Sequence, residues 1–388
     1  MPTFNLRRFS RPEMLRKIDR EHLLLFLHPH SEYFSRRGLE LPSPESSHDL
    51  DYKALSMALA NPDPTANPEL FDALFLVHEL STSEAFDEVQ EAIKDQKIDE
   101  EIPSDLSPAD LAIRVFLMNP DILDRVHARQ ELRRPRTFVY FQAQGKTNGG
   151  IDFPGDDQIM TIEEALNTGF VRKRRGKTAK VIPFNGDDNM WFLIRRGAVL
   201  NRQGIIRNDG ESDSLYYRPE RYDTVVYNPD NNEIRMNVRN NSKWLLELYR
   251  CVFGYQLFGN MNYFEGKNKF TLEPLRQDGK VSLECGDVDG IDKVTLTEYT
   301  ILYDPNFNES VTRRADDIFG LLGARNHEFP KGGNLVKAKF KIKFSGSKNP
   351  RSVTIKKGNC AGFKIDDDSL VLEQWLTNRG FISEIENA

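Results

Sequence analysis

The amino-acid sequence predicts a multidomain α and α+β protein, in which a helical N-terminal domain is followed by a larger mixed, mainly antiparallel α+β domain. Three observations carry this. A chain of 388 residues is longer than one hydrophobic core normally serves. The first third repeats strong helix-start signals: Asn67-Pro68, Ser107-Pro108 and Asn119-Pro120 each put a capping side chain ahead of a proline that suits the first helical position. From Thr137 onward the pattern changes to short β-branched and aromatic runs divided by Gly, Asn, Asp and Pro.

Taken in order, Leu70, Phe71, Leu74 and Val77 recur at helical spacing, as do Phe86, Val89 and Ile93, and later Ile122, Leu123 and Val126. These define an acidic all-helical domain over 1–136. The remaining residues, 137–388, form the α+β domain, with a secondary break near residue 265. Within it "YDTVVYNPDNNEIRMNV" reads as a β-hairpin. Trp244, Leu245, Leu248, Tyr249, Val252 and Phe253 make one helical stripe ending at Gly254, and a last helix runs from about Ser369 to Arg379 before Gly380. Asp366, Asp367 and Asp368 complement its positive end.

Charge is segregated along the chain. Residues 1–136 carry 17 Lys and Arg against 25 Asp and Glu, a net of −8, while 137–388 carry 36 against 34, a net of +2. Residues 329–365 hold ten basic residues and no acid. Such segregation speaks to partners more than to fold. No apolar run approaches the ~20 residues that span a bilayer, and the first 30 residues carry acids and arginines where a secretory signal needs an apolar stretch, so a cytoplasmic protein is expected. Cys251, Cys285 and Cys360 are too scattered for a disulfide framework or a zinc cluster.

The densest signal is "LVKAKFKIKF". Lys337, Lys339, Lys341 and Lys343 alternate with Val336, Ala338, Phe340, Ile342 and Phe344, so a strand buries the second set and displays four ammonium groups on one side. A second strand, "RSVTIKKG", adds Arg351, Lys356 and Lys357. Four like charges about 7 Å apart repel unless something anionic answers them, and phosphates do so well. Lysines on edge strands also serve to discourage aggregation, and solvation is the usual fate of a charged face. The acidic helices, from the same copy or another, are a further candidate cover. A second basic stretch, Arg172, Lys173, Arg174, Arg175, Lys177 and Lys180, reads as an exposed loop after a short helix and before a strand. Trp191, Phe192, Tyr216, Tyr217 and Tyr222 lie near it in sequence, and the first two are expected in the core.

Other motifs are weaker. Gly145-Lys146-Thr147 lacks the glycine five residues before the lysine, which is Phe141, and "TNGGIDFPGDD" cannot start a helix, so a phosphate-cradling loop is rejected. His28-Pro29-His30, with His22, lacks a matched Cys or acid for a metal, and Asp287, Asp289 and Asp292 have their glycine too early for a calcium loop. A metal-dependent nuclease would need two or three carboxylates on neighbouring strands. Asp223, Glu233 and Glu298 are the candidates, with Arg235 near the second and Mg²⁺ as the implied cofactor.

The sequence thus favours binding over catalysis. The expected function is a non-catalytic nucleic-acid or polyanion binding protein that needs no cofactor and docks a protein partner through its acidic helices. The nuclease and an assembly or regulatory subunit are the alternatives.

Overall fold

A computed structural model describes residues 6, 9–60, 67–95, 103, 106–134, 137–143, 151–186, 189–207, 209–266, 268–363 and 368–383. Gly145, Lys146, Thr147, Asp366, Asp367 and the expected domain boundary at 135–136 lie outside the described residues. The chain divides into two compact units, Met1–Gln130 with Arg202–Leu215, and Glu131–Asn201 with Tyr216–Ala388. No described helix is long and apolar enough to cross a membrane.

The first unit is built from α1 (Pro12–Leu15), α2 (Arg20–Leu27), α3 (Ser31–Arg36), α4 (Tyr52–Ala60), α5 (Pro68–Leu80), α6 (Ser83–Asp95), α7 (Pro108–Met118) and most of α8 (Pro120–Arg133). The proline starts act as read. Asn67 Oδ1 accepts from the Glu69 amide at 2.9 Å, Ser107 Oγ from Asp110 at 3.2 Å and Asn119 Oδ1 from Asp121 at 3.1 Å, each satisfying a donor that the helix itself cannot. Leu23, Phe34, Leu59, Leu74, Ile113 and Leu123 form the centre of its core. His28-Pro29-His30 is one 3₁₀ turn between α2 and α3, and His22 Nδ1 lies 3.0 Å from Asp110 Oδ1, tying α2 to α7.

The remaining elements, which lie in the second unit apart from most of β4 and β5, are in chain order β1 (Thr137–Gln142), α9 (Asp156–Arg172), β2 (Lys180–Asn185), β3 (Met190–Gly197), the separate two-stranded β4 (Asn201–Ile206) and β5 (Ser212–Tyr217), β6 (Glu220–Asn228), β7 (Glu233–Asn237) and α10 (Lys243–Phe258). There follow α11 (Pro274–Gln277), β8 (Ile291–Asp304), β9 (Glu309–Arg314), α12 (Ile318–Ala324), β10 (Asn334–Phe344), β11 (Arg351–Lys356), β12 (Cys360–Gly362) and α13 (Asp368–Asn378). The residues of β4 and β5 from Arg202 to Leu215 group with the helices of the first unit. Apart from β4 and β5, the strands form one ten-stranded sheet in the order β2-β3-β6-β7-β1-β12-β11-β10-β8-β9, antiparallel at each described pairing.

The first strand in sequence, β1, lies in the middle of this sheet and joins its halves, pairing with β7 on one side and β12 on the other. The two halves are covered from opposite sides. Over β1, β7, β6 and β3 the helices α9 and α10 pack Ile162, Phe170, Tyr249 and Phe253 onto Val139, Phe192, Val225 and Met236. Over β11, β10 and β8 the cover is on the other face, where α11, α12 and α13 bring Leu275, Leu322 and Trp375 onto Phe340, Ile355 and Leu296. The half under α9 and α10 also buries side chains on its other face, Phe138, Tyr140, Val226 and Glu233 among them, whereas the lysines of β10 on the uncovered face of the other half are half-buried or exposed. The cross-strand partners Val139, Cys360, Lys356 and Lys337 follow one face from half to half, and it is the face that α9 and α10 cover only at the other end.

One helix end differs from its reading. The stripe of α10 continues past Gly254 to Phe258, and Gly259, at φ 70°, supplies the left-handed cap. Gly254 serves instead as a close-approach site, since a Cβ there would sit 2.7 Å from the Asn260 carbonyl oxygen.

Candidate functional site

The segment 334–344 is extended, and its lysines share a face. Leu335, Ala338, Phe340, Ile342 and Phe344 are buried, while Lys337, Lys339, Lys341 and Lys343 look to the opposite side. The inward row begins at Leu335 rather than Val336, because a bulge makes Val336 the extra residue between the Leu335–Ile301 and Lys337–Thr300 pairs. Register adds what sequence could not. Opposite the four lysines on β8 stand Thr300, Glu298, Thr295 and Lys293. Across β11 stand Lys356, Thr354 and Ser352, and Arg314 of β9 pairs with Glu298. This half-face carries seven cations, Lys293, Arg314, Lys337, Lys339, Lys341, Lys343 and Lys356, against one carboxylate, Glu298, among the described residues.

That carboxylate is nearly inaccessible at 2% exposure and is shared. Glu298 accepts from Lys337 Nζ at 2.7 Å on one oxygen and from Arg314 Nε and Nη2 at 2.8 and 2.6 Å on the other. Lys337 and then Arg314 hold its carboxyl below the usual range, so it stays ionised. The four lysines are consequently not equivalent. Lys337 is neutralised in place by the neighbouring strand, and Lys343 donates to the Ser347 carbonyl. Lys339 stands directly across from Glu298, but both oxygens of that carboxylate are taken by Lys337 and Arg314; Lys341, Lys356 and Lys293 have no carboxylate as a cross-strand partner among the described residues. With ~3.3 Å per residue, alternate lysines stand roughly 6.6 Å apart. Two unit charges at that distance repel by about 0.6 kcal/mol even in bulk water.

The other residues of the expected basic site lie elsewhere. Arg351 pairs in register with the inward Ile342, forms an ion pair with Asp368 of α13 at 2.8 Å, and lies over the Phe344 ring. Lys357 is held by Glu273 at 3.2 Å, beside α11. Both belong to the side opposite the lysines, which corrects their grouping with Lys356. The 172–180 stretch closes α9 and leads into β2. Arg174 is left-handed at φ 58°, Arg175 covers the Trp244 ring at 4.9 Å, and Lys180 pairs with Glu163 at 3.2 Å. Arg172, Lys173 and Lys177 are exposed. Since β2 and β10 are seven strand positions apart, roughly 34 Å at ~4.8 Å per strand, the two basic stretches do not form one patch. Phe192 is fully buried and Trp191 half-buried beneath Arg235.

The three carboxylates considered for a metal also stay apart. Asp223 is buried under α10 between Arg196, whose longer contact is 3.2 Å, and the Tyr249 hydroxyl, which donates at 2.7 Å. Glu233 lies on the opposite face, fully buried, with Lys269 Nζ donating to both its oxygens at 2.8 and 2.7 Å. Burial pushes its carboxyl up, against the opposing charge of Lys269. Glu298 is six strand positions from Asp223, roughly 29 Å. Each carboxylate is spent in its own ion pair, and the three that the nuclease alternative would bring to one metal stand apart. Arg235, near Glu233, reaches Asn189 at 3.0 Å and Glu373 at 3.6 Å rather than a shared site. No group of three or more described His, Cys, Asp or Glu side chains is placed to hold a metal ion.

Sequence reasoning missed Lys293, Arg314 and the neutralising role of Glu298. Their alternation was visible in "IDKVTLTEYT" and "ESVTRR", but which strands flank the lysines is a long-range fact. No protein-family model matches the chain, and comparison with curated proteins finds no relative.

Proposed function

We propose that this chain holds a nucleic-acid backbone or another polyanion on the open half-face of its sheet, without performing chemistry on it, and that the acidic helices dock a basic protein partner. The observation that carries the reading is the imbalance on that half-face: seven cations against one buried carboxylate, with α11, α12 and α13 packed on the other face. Lys339, Lys341, Lys356 and Lys293 are the primary contacts. The threonine and serine hydroxyls between them, at 295, 300, 312, 352 and 354, are further donors for phosphate oxygens. Aromatic side chains are absent from the described inner rows of this face, so the recognition is of backbone charge rather than of bases.

The test is fluorescence anisotropy with labelled single-stranded DNA, duplex DNA and duplex RNA over a salt series. Four contacts give a slope of about −4 on duplexes, which lowers affinity roughly two hundredfold between about 50 and 200 mM salt. Absence of binding at low salt removes the reading, as does binding that ignores salt.

A further inference from the structure

The two edges of the sheet differ. β2 carries Pro183 at its centre, which has no N–H to offer a further strand. β9, at the other edge, has six residues, no proline, and a described partner only in β8. An edge of this kind presents a row of unpaired N–H and C=O groups. Its side chains are exposed apart from the half-buried Arg313, and Val311 is 51% exposed.

The sequence of this strand, Glu309-Ser-Val-Thr-Arg-Arg314, is complementary to itself in one antiparallel register. A twofold axis perpendicular to the sheet keeps each side chain on its own face, so a residue can meet only a residue of the same parity in the other copy. With the axis through Val311, Val311 meets its own counterpart, Glu309 meets Arg313 twice, and Ser310 meets Thr312 twice. With the axis one residue on, through Thr312, Val311 meets Arg313 and both ion pairs are lost. Within one copy Glu309 stands opposite Asp304, a like-charged cross-strand pair, and neither Glu309 nor Arg313 has an ion-pair partner among the described residues. A second copy supplies the missing countercharge to both.

We infer that two copies of this chain associate by antiparallel pairing of β9 about a twofold axis through Val311, joining their lysine faces into one surface. The joined-surface clause rests on the polyanion reading; the pairing does not. The axis leaves both lysine faces on the same side, in the order β11-β10-β8-β9 and its reverse, eight strands or roughly 38 Å across. Pairing two six-residue strands buries less than the ~1,200 Å² of a standard stable interface, so the association is weak and reversible. A polyanion long enough to touch both faces strengthens it by effective concentration.

Sedimentation velocity of the full chain without nucleic acid, over a series up to about 1 mM, should show a reversible monomer–dimer equilibrium. Glu309→Arg alone and Arg313→Glu alone each set like charges together and weaken self-association about tenfold. Mixed together, the two variants restore both attractive pairs and form the mixed dimer. Glu309→Arg also relieves the contact with Asp304, so the fold survives it. A chain monomeric throughout, single variants that dimerise like the parent, or a mixture that does not associate would each overturn the pairing. Dimerisation without polyanion binding would leave the pairing standing and remove the binding reading alone.

Discussion

Replacing Lys339 and Lys341 together by glutamate should lower affinity for duplex DNA by about a hundredfold or more at roughly 50 mM salt, and should reduce the salt slope by about two. The two side chains are the centre of the row, the one carboxylate opposite Lys339, Glu298, being taken by Lys337 and Arg314, and their backbones are fixed by pairing on both sides. Reversal removes two contacts and adds repulsion of the phosphate. The fold should tolerate the change, since the inward neighbours Ala338, Phe340 and Ile342 are untouched and the like-charge repulsion along the strand is relieved. The control is Lys173→Glu with Lys177→Glu, in the basic stretch between α9 and β2, which should change affinity less than about threefold. Equal losses from the two pairs, measured by anisotropy, would mean that the β10 lysines hold no special position.

The Lys269→Met variant should lose about 3–5 kcal/mol of unfolding free energy at neutral pH, because it leaves the Glu233 carboxylate buried without its countercharge. The pair stands at the middle of the sheet, with Lys269 also over the Tyr140 ring at 4.5 Å, so no rearrangement readily brings water to it. The pH dependence follows from the direction of the shift. Burial raises the Glu233 carboxyl in the folded state, so the folded form holds its proton more tightly than the unfolded chain. Its contribution is therefore most favourable below the unfolded value of about 4.3, and is lost as pH rises through the folded value. Without Lys269 that folded value moves higher still. The variant's deficit should then shrink as pH is lowered from about 8 toward 5, and adding Glu233→Leu should recover most of it. Urea unfolding across this range decides: a deficit independent of pH, or below about 1 kcal/mol, would show that the carboxylate reaches solvent or another partner.

The parts of this molecule governed by short-range rules were legible in its sequence. Asn67, Ser107 and Asn119 cap the helices they precede, because a cap is a contact over two or three residues. The hairpin of β6 and β7 and the alternation of β10 were readable for the same reason, period two being a local property. The overall α and α+β architecture followed from these. Strand order did not. Nothing local says that β1 pairs with β12, more than 200 residues later, or that β8 and not β2 lies beside the lysines. The site inherited both outcomes. Lysines sharing a face is a consequence of alternation, whereas the capture of Lys337 by Glu298 and the turning of Arg351 and Lys357 to the other side depend on tertiary neighbours. Parity failed at Val336 because a bulge consumed one residue. The carboxylates Asp223, Glu233 and Glu298 looked available in sequence because their ion-pair partners, Arg196, Lys269 and Lys337, are 27, 36 and 39 positions away.

The most direct measurement is a lysine footprint: brief acylation of the full chain with and without saturating single-stranded or duplex nucleic acid, read residue by residue by mass spectrometry. Protection is expected at Lys339, Lys341, Lys356 and Lys293, with Lys173 and Lys177 labelled equally in both samples. Unchanged labelling along β10, or protection confined to the 173–177 stretch, would contradict it.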